Sequence, residues 1–318
     1  MDASAWPPPI APMLAQLGAP PVNRDGSWAI EYKWDGVRGV VTVAGGQVRV
    51  RSRNARNFTG TFPELAGLAP ALDGRSAMLD GEIVALDRGG RSDFARIQRR
   101  LGVSRPTPRL LAAVPVVYVI FDLLSLDGKL LLDQPCEKRR AVLDALDLAD
   151  PVLQVPPYVT GLSGAEMLRT AAEHGLEGVV AKKLGSTYRP GRRSASWRKS
   201  PLRHRASVVI GGWTPGQGAR TGGLGALLLG QSTPAGLRYL GHCGTGWDQA
   251  TARQLQQTLS AIARPDSPFV QPLPPAEARA ARRVAPVLVG DVEYRALTAE
   301  GRLRHPSWKG LRPDLGRR

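Results

Sequence analysis

Glu31-Tyr32-Lys33-Trp34-Asp35-Gly36-Val37-Arg38 alternates aromatic and charged side chains up to an Asp-Gly pair. Read as a strand, its period of two puts Tyr32 and Trp34 on one face and Glu31, Lys33 and Asp35 on the other. The aromatics then anchor the strand in a core. Lys33 projects between two carboxylates, ahead of a turn that returns Arg38 toward it. Alone, a Lys-x-Asp-Gly run is also what a charge-balanced surface strand shows, so its weight depends on its surroundings.

Outward from this stretch, Asp-Gly pairs punctuate the first half of the chain at Asp25-Gly26, Asp35-Gly36, Asp73-Gly74, Asp80-Gly81 and Asp127-Gly128. Several sit between apolar runs, as hairpin turns would. The pattern predicts strands over 28–34, 37–43, 47–52, 77–86, 114–124 and 178–183, with 114–124 the most apolar and the most central. It predicts helices over 62–72, 93–101, 136–146 and 163–174, the last opened by a capping box of Ser163 and Glu166. Residues 189–205 carry seven basic side chains, no acidic one, and Pro190, Gly191 and Pro201. They predict a linker or a phosphate-facing loop. Beyond them, short glycine-rich strands are expected over 207–213, 223–229, 237–241 and 287–294, with a helix over 249–262. That order suits a small five-stranded barrel.

The 318 residues allow about two domains at roughly 100–200 residues each. A hydrophobic share of 42% is enough for real cores, which excludes a wholly disordered chain. Lys and Arg number 43 against 27 Asp and Glu, a net charge of +16, which favours a polyanionic partner, nucleic acid ahead of a membrane surface. Two cysteines, Cys136 and Cys243, exclude a disulfide framework and a Cys-rich zinc site, and read as reduced thiols. The four histidines have no metal-ligand spacing. Residues 1–20 lack a basic n-region and contain Pro7-Pro8-Pro9, a poor signal peptide, and no apolar run approaches the ~20 residues that span a bilayer. A soluble intracellular protein is expected. The P-loop, the strand–G-x-G-x-x-G–helix unit and G-x-S-x-G are all missing from the sequence, so any nucleotide must be held by another route.

Four further stretches carry chemistry. Leu79-Asp80-Gly81-Glu82-Ile83-Val84 sets a carboxylate at a strand start, where it can meet a ribose hydroxyl or a metal. Val119-Ile120-Phe121-Asp122-Leu123-Leu124 sets an aromatic platform in an apolar strand. Glu177-Gly178-Val179-Val180-Ala181-Lys182-Lys183 opens a strand with an acid and closes it with lysines. Trp197-Arg198-Lys199 lies inside the basic stretch. Each alone also fits a core or hairpin residue. Their order is far more specific than any member.

That order resembles the covalent nucleotidyltransferase superfamily and, within it, the ATP-dependent DNA ligases, above all the ligase module of the bacterial end-joining ligase D. Pro12-Met13-Leu14-Ala15, Arg51-Ser52-Arg53-Asn54, Tyr188-Arg189-Pro190-Gly191, Gly211-Gly212-Trp213-Thr214-Pro215-Gly216 and the run from Leu303 to Arg312 extend the resemblance over about residues 10–315. It implies an α+β fold: an antiparallel-sheet adenylation domain over 1–200, then an OB-fold β-barrel over 201–318.

By the same resemblance, Lys33 attacks the α-phosphate of ATP and becomes lysyl-AMP. An ammonium is no nucleophile, so the amine must shed its proton, which Lys182, Lys199 and a bound metal would favour. Glu31 takes the position that recognises the adenine amino group, Arg38 that of the arginine near the ribose and nick, Glu82 the ribose-binding carboxylate and Phe121 the ring that stacks on adenine. Glu177, with Glu82, is the metal-binding candidate for Mg²⁺ or Mn²⁺. Lys182 and Lys199 match lysines on the α-phosphate, and Arg53 the arginine that grips the 5′-phosphate. AMP then passes to the DNA 5′-phosphate and the 3′-hydroxyl displaces it. About 30 residues precede Lys33, where NAD-using relatives carry a further domain, so ATP is the expected donor.

The resemblance also implies a hinge near Pro201–Arg205 that rotates the barrel. The tail from Arg282, nine basic residues against four acidic, would reach the outer phosphates through Lys309 and Arg312, or serve as a basic face for DNA alone. Implied partners are nicked or broken duplex DNA, the end-binding Ku protein and an end-processing polymerase or nuclease. A monomer in the bacterial cytoplasm, at the nucleoid, is expected, with no membrane partner. Two departures weigh on the first step. Lys199 is followed by Ser200-Pro201 where the family has a second lysine, with Arg203 or Arg205 as substitutes of another shape. Leu315 stands where the C-terminal motif often has lysine. The competing readings are an RNA ligase or capping-type nucleotidyltransferase, and a degenerate, non-catalytic DNA-end binder.

Overall fold

The computed structural model describes residues 6–216, 218, 221–298 and 300–315. Arg317-Arg318, expected as a frayed end, lies outside them, as do the first five residues. The chain divides into two compact units between Leu202 and Arg203.

The first unit contains β1 (Leu14–Leu17), β2 (Trp28–Tyr32), β3 (Val37–Ala44), β4 (Gln47–Ser52), β5 (Ala77–Val84), β6 (Val117–Leu126), β7 (Gly178–Lys183) and β8 (Arg193–Pro201). One sheet runs β1-β8-β7-β2 and the other β4-β3-β5-β6. These neighbours are antiparallel except β1 and β8. Strands β3 and β5 place apolar side chains on both faces, because both faces are covered. Val41, Leu79 and Ile83 pack with Phe62, Leu65 and Leu68 on one side, whereas Val40 and Met78 meet Met13, Tyr188 and Trp197 on the other. The first sheet buries Ile30, Val179 and Ala181 against Met167 and Ala171. The latter two lie on helix α2 (Gly164–Glu173), which follows α1 (Cys136–Asp144). The expected capping box of Ser163 and Glu166 starts α2.

Several local expectations fail for identifiable reasons. The helix expected over 62–72 is a 3₁₀ turn, Pro63–Gly67, followed by one α turn, Leu68–Ala71. Pro70 has no N–H to continue a longer helix. Residues 189–205 are not a plain linker, because β8 pairs with both β7 and β1. Strand β6 is not central: β5 flanks it on one side and two-residue strands on the other. Asp80-Gly81 is no turn and Glu82 no strand start, since all three lie inside β5. Glycine is required at 81 by close approach. A Cβ there would lie 2.5 Å from Tyr118 Cε2 and from the Val119 carbonyl. The Tyr118 ring cannot retreat, because its hydroxyl bonds to the Gly39 and Leu79 carbonyls. Gly81→Ala should therefore cost about 1–3 kcal/mol in a urea titration. Gly18→Ala, where a Cβ meets nothing within 4 Å, should cost far less, and equal losses would refute this account.

The second unit holds β9 (His204–Pro215), β10 (Leu224–Thr233), β11 (Gly236–Cys243), helix α3 (Gln249–Ala261), β12 (Val289–Tyr294) and β13 (Ser307–Leu311). The antiparallel order is β11-β10-β9-β12-β13. Val208, Ile210, Leu227, Leu229 and Trp308 form its core with Leu255 and Leu259 of α3. Three strands, a helix and two strands around one core suit a small barrel, as the sequence predicts. Cys136 and Cys243 are free and buried. Among the described residues no helix is long and apolar enough to cross a membrane.

Candidate active site

The two sheets of the first unit line one pocket of ≈ 500 Å³, a size suited to a small-molecule ligand. Register explains the convergence. Glu31 lies opposite Val180, and Val180 opposite Lys199. One row along, Ala29, Lys182 and Trp197 align. Cross-strand partners and residues two apart share a face. Glu31, Lys182, Trp197 and Lys199 therefore share the pocket face, and Ile30, Val179 and Ala181 the core face. From the other sheet, Arg38 lies opposite Glu82. Phe121 arrives by a β-bulge: Asp80 faces Asp122 and Gly81 faces Ile120, which leaves Phe121 as the extra residue.

Lys33 follows the last residue of β2, with its N–H bonded to the Gly178 carbonyl at 2.8 Å. Its Nζ donates to Glu177 Oε2 at 2.5 Å. The partner of Lys33 is thus a distant acid and not the flanking Glu31 or Asp35 that strand periodicity suggests. Tyr32 packs against the Ile30 core as expected while also lining the pocket, whereas Trp34 lies beyond the end of β2 and lines the pocket. Glu31 is buried and belongs to other cations. Lys182 Nζ lies 3.0 Å from its Oε1 and 2.8 Å from its Oε2, and Arg140 Nη1 lies 3.5 Å from Oε1. Lys182 also donates to the Phe121 carbonyl at 3.0 Å. Lys182 lines the pocket as well.

Arg38 is held by Asp80, with Nε 2.5 Å from Oδ1 and Nη2 2.6 Å from Oδ2, and its guanidinium carbon lies 4.6 Å from the Phe121 ring centre. Burial opposes the Arg38 charge, but Asp80 outweighs it and drives the guanidinium pKa up. Asp80 also accepts the Tyr188 hydroxyl at 2.6 Å, and that oxygen accepts the Met13 N–H at 2.9 Å. The sequence alone assigns no role to Asp80, Tyr188 or Arg140. A detectable signal for Arg140 was a charge on the apolar stripe of a helix. Arg53 lines the mouth with Ser52, Asn54 and Arg56, beside the end of β4. Lys309 and Arg312 belong to the second unit, where Lys309 pairs with Glu293 at 2.9 Å and Arg312 with Asp291 at 3.2 Å. Arg205, a candidate substitute for the missing lysine, pairs with Glu293 at 3.0 Å.

Burial pushes the Glu82 carboxyl up to about 7, although Arg38 and Lys33 pull it down. A carboxyl raised on folding binds its proton more tightly in the native state. Its cost is absent below pH 4.5, grows as pH rises, and is complete above about 7. The shift corresponds to roughly 3 kcal/mol at most. Glu82→Gln should match the wild type in thermal stability near pH 4 and exceed it increasingly up to pH 8. A difference independent of pH would contradict this.

Among the described residues no three His, Cys, Asp or Glu side chains form a ready metal cage. Glu82 and Glu177 both act on the Lys33 neighbourhood. Mg²⁺ commonly takes one or two carboxylates and completes its shell with water and substrate phosphates. This donor set fits that mode.

A lysine among carboxylates and further lysines, in a two-sheet pocket followed by a small barrel, is the arrangement of a covalent nucleotidyltransferase. Residues 12–200 match the family described as ATP dependent DNA ligase domain, and residues 220–315 its C terminal region. The multifunctional non-homologous end joining protein LigD of Mycolicibacterium smegmatis is 42% identical over 311 residues, covering 98% of this chain. LigD of Mycobacterium tuberculosis is 42% identical over 305 residues, covering 96%. The solved ligase domain of M. tuberculosis LigD is 40% identical, covers 96% of both chains and superposes with a TM-score of 0.58. A mycobacterial DNA ligase D complexed with ATP and MES gives the same values. The chain belongs to the ATP-dependent DNA ligases, with a nucleotidyltransferase domain and an OB-fold C-terminal domain. It spans 39% of the length of these LigD proteins.

Proposed function

We propose that this chain seals 5′-phosphate/3′-hydroxyl breaks in duplex DNA through lysyl-AMP on Lys33. The observation that carries this reading is Lys33 Nζ in a nucleotide-sized pocket, oriented there by the Glu177 carboxylate at 2.5 Å. In the first step the Lys33 ammonium loses its proton to solvent, favoured by the neighbouring lysines and the metal, the Nζ–phosphorus bond forms and the bond to pyrophosphate breaks. Glu31 and Phe121 hold the adenine, Glu82 the ribose, and Arg38 the ribose and nick edge. Lys199 and Lys182 meet the α-phosphate, and Arg53 grips the DNA 5′-phosphate. Lys309 and Arg312 meet the outer phosphates after rotation at the hinge near Pro201–Arg205. Mg²⁺ or Mn²⁺, held by Glu177 and Glu82 with the phosphates, would neutralise charge on the phosphoryl oxygens.

The LigD relatives are named for non-homologous end joining, and the same repair setting is proposed here, with Ku and an end-processing polymerase or nuclease as partners. The protein acts as a monomer at the nucleoid. The test is intact mass after incubation with ATP and Mn²⁺, following removal of any bound AMP. One added AMP, discharged by nicked duplex DNA, supports the reading. No gain with ATP refutes it, and a gain from GTP alone selects a capping-type enzyme.

A further inference from the structure

Helix α1 carries two buried arginines that the proposed reaction does not use. Cys136, Arg139, Arg140 and Leu143 form its inward stripe, the spacing of a core-facing helix. Charges in such positions require partners. Arg139 is completed by Asp122, with its Nε and Nη2 2.7 and 2.8 Å from the two carboxylate oxygens. Arg140, 1% exposed, meets Asp144 one turn along its own helix at 3.6 Å, and reaches two further partners off the helix. Its Nη2 donates to the Pro156 carbonyl at 2.7 Å, and its Nη1 faces Glu31 Oε1 at 3.5 Å. The first contact ties the guanidinium to the backbone and the second aims it at the pocket carboxylate.

The geometry points to Arg140 as the positioning residue for donor-base selectivity, acting through Glu31. This rests on the proposed function, in which Glu31 meets the nucleobase. With Arg140 and Lys182 both engaged, Glu31 is a bare carboxylate that can only accept hydrogen bonds. An acceptor there suits the exocyclic amino group of adenine and repels the carbonyl oxygen that guanine presents at the same edge. Lys182 alone is a poor clamp, because its ammonium sits on a flexible stem and also serves the Phe121 carbonyl. The planar, backbone-tied guanidinium of Arg140 supplies the second fixed direction.

The experiment is transfer of AMP from ATP and GMP from GTP to the protein with Mn²⁺. It compares wild type, Arg140→Met, Arg140→Lys, Glu31→Gln and Glu31→Gln/Arg140→Met. Arg140→Met should lower the ATP/GTP ratio of kcat/KM on the order of tenfold, the coupling expected of residues in contact. The loss should fall mainly on KM for ATP. In the Glu31→Gln background the same substitution should leave the ratio unchanged. Arg140→Lys keeps a buried cation but cannot span both partners, and should shift the ratio in the same direction even if Arg140→Met does not fold. An unchanged ratio in a folded Arg140 variant, or an equal drop without the Glu31 carboxylate, overturns the inference alone. A wild type labelled by neither nucleotide overturns the proposed function and the inference with it.

Discussion

Lys33→Ala is expected to take up no AMP from ATP, yet still to seal a nick whose 5′-phosphate already carries AMP. In the proposed first step Lys33 Nζ is the group that becomes bonded to phosphorus. Of the other lysines lining the pocket, Lys182 is buried against Glu31 and the Phe121 carbonyl, and Lys199 lies on β8 opposite Val180. Removal of a nucleophile that forms a covalent intermediate should cost roughly 10³-fold or more in self-adenylation. In the proposed last step the 3′-hydroxyl is the nucleophile and AMP the leaving group, so Lys33 would contribute only charge. Loss of one such electrostatic contact costs on the order of a hundredfold. The two rates are read separately with labelled ATP and with a pre-adenylated nicked duplex. Equal loss of both would mean that Lys33 acts structurally, and equal retention would remove it as the nucleophile.

The largest stability effect is expected at Asp122, beneath the same pocket. Asp122 and Arg139 are both fully buried and doubly bonded to one another. Arg139 Nη1 also donates to the Gln134 and Ser186 carbonyls, at 2.7 and 3.1 Å. Asp122→Ala leaves a desolvated guanidinium without a counter-charge, which costs about 3–5 kcal/mol. At a few degrees per kcal/mol, Tm should fall by roughly 10 °C. Asp122→Leu/Arg139→Met removes both charges and should recover most of the loss, because apolar replacement of a buried pair is often neutral. A fall of only a degree or two in the single variant would show that water or a local shift satisfies Arg139.

Both predictions rest on side-chain pairings that no local pattern encodes. The sequence presents Lys33 between Glu31 and Asp35, its near neighbours along the chain. In the fold, Lys33 turns to Glu177 and Glu31 turns to Lys182, because β2 and β7 lie side by side. Strand β1 was not legible either, since its partner β8 is some 180 residues on and pairs with it in parallel. Asp80-Gly81 has the appearance of a turn, yet its glycine serves the close packing of Tyr118. The platform position of Phe121 depends on a bulge, which alternation alone does not mark.

What the sequence determined by itself was the family, the α+β class, the ordered motifs that bring Lys33, Glu82, Phe121, Glu177 and Lys199 to one pocket, and strands such as 47–52 and 178–183 that appear with the expected bounds. These follow from side-chain type and short-range periodicity, which the chain carries locally. Only the tertiary structure decided which acid meets which base, which arginines back the pocket, and which glycines are required by contact and not by a turn. Those choices depend on groups distant in sequence that share one desolvated space, where an unpaired charge costs several kcal/mol and the register of neighbouring strands selects its partner.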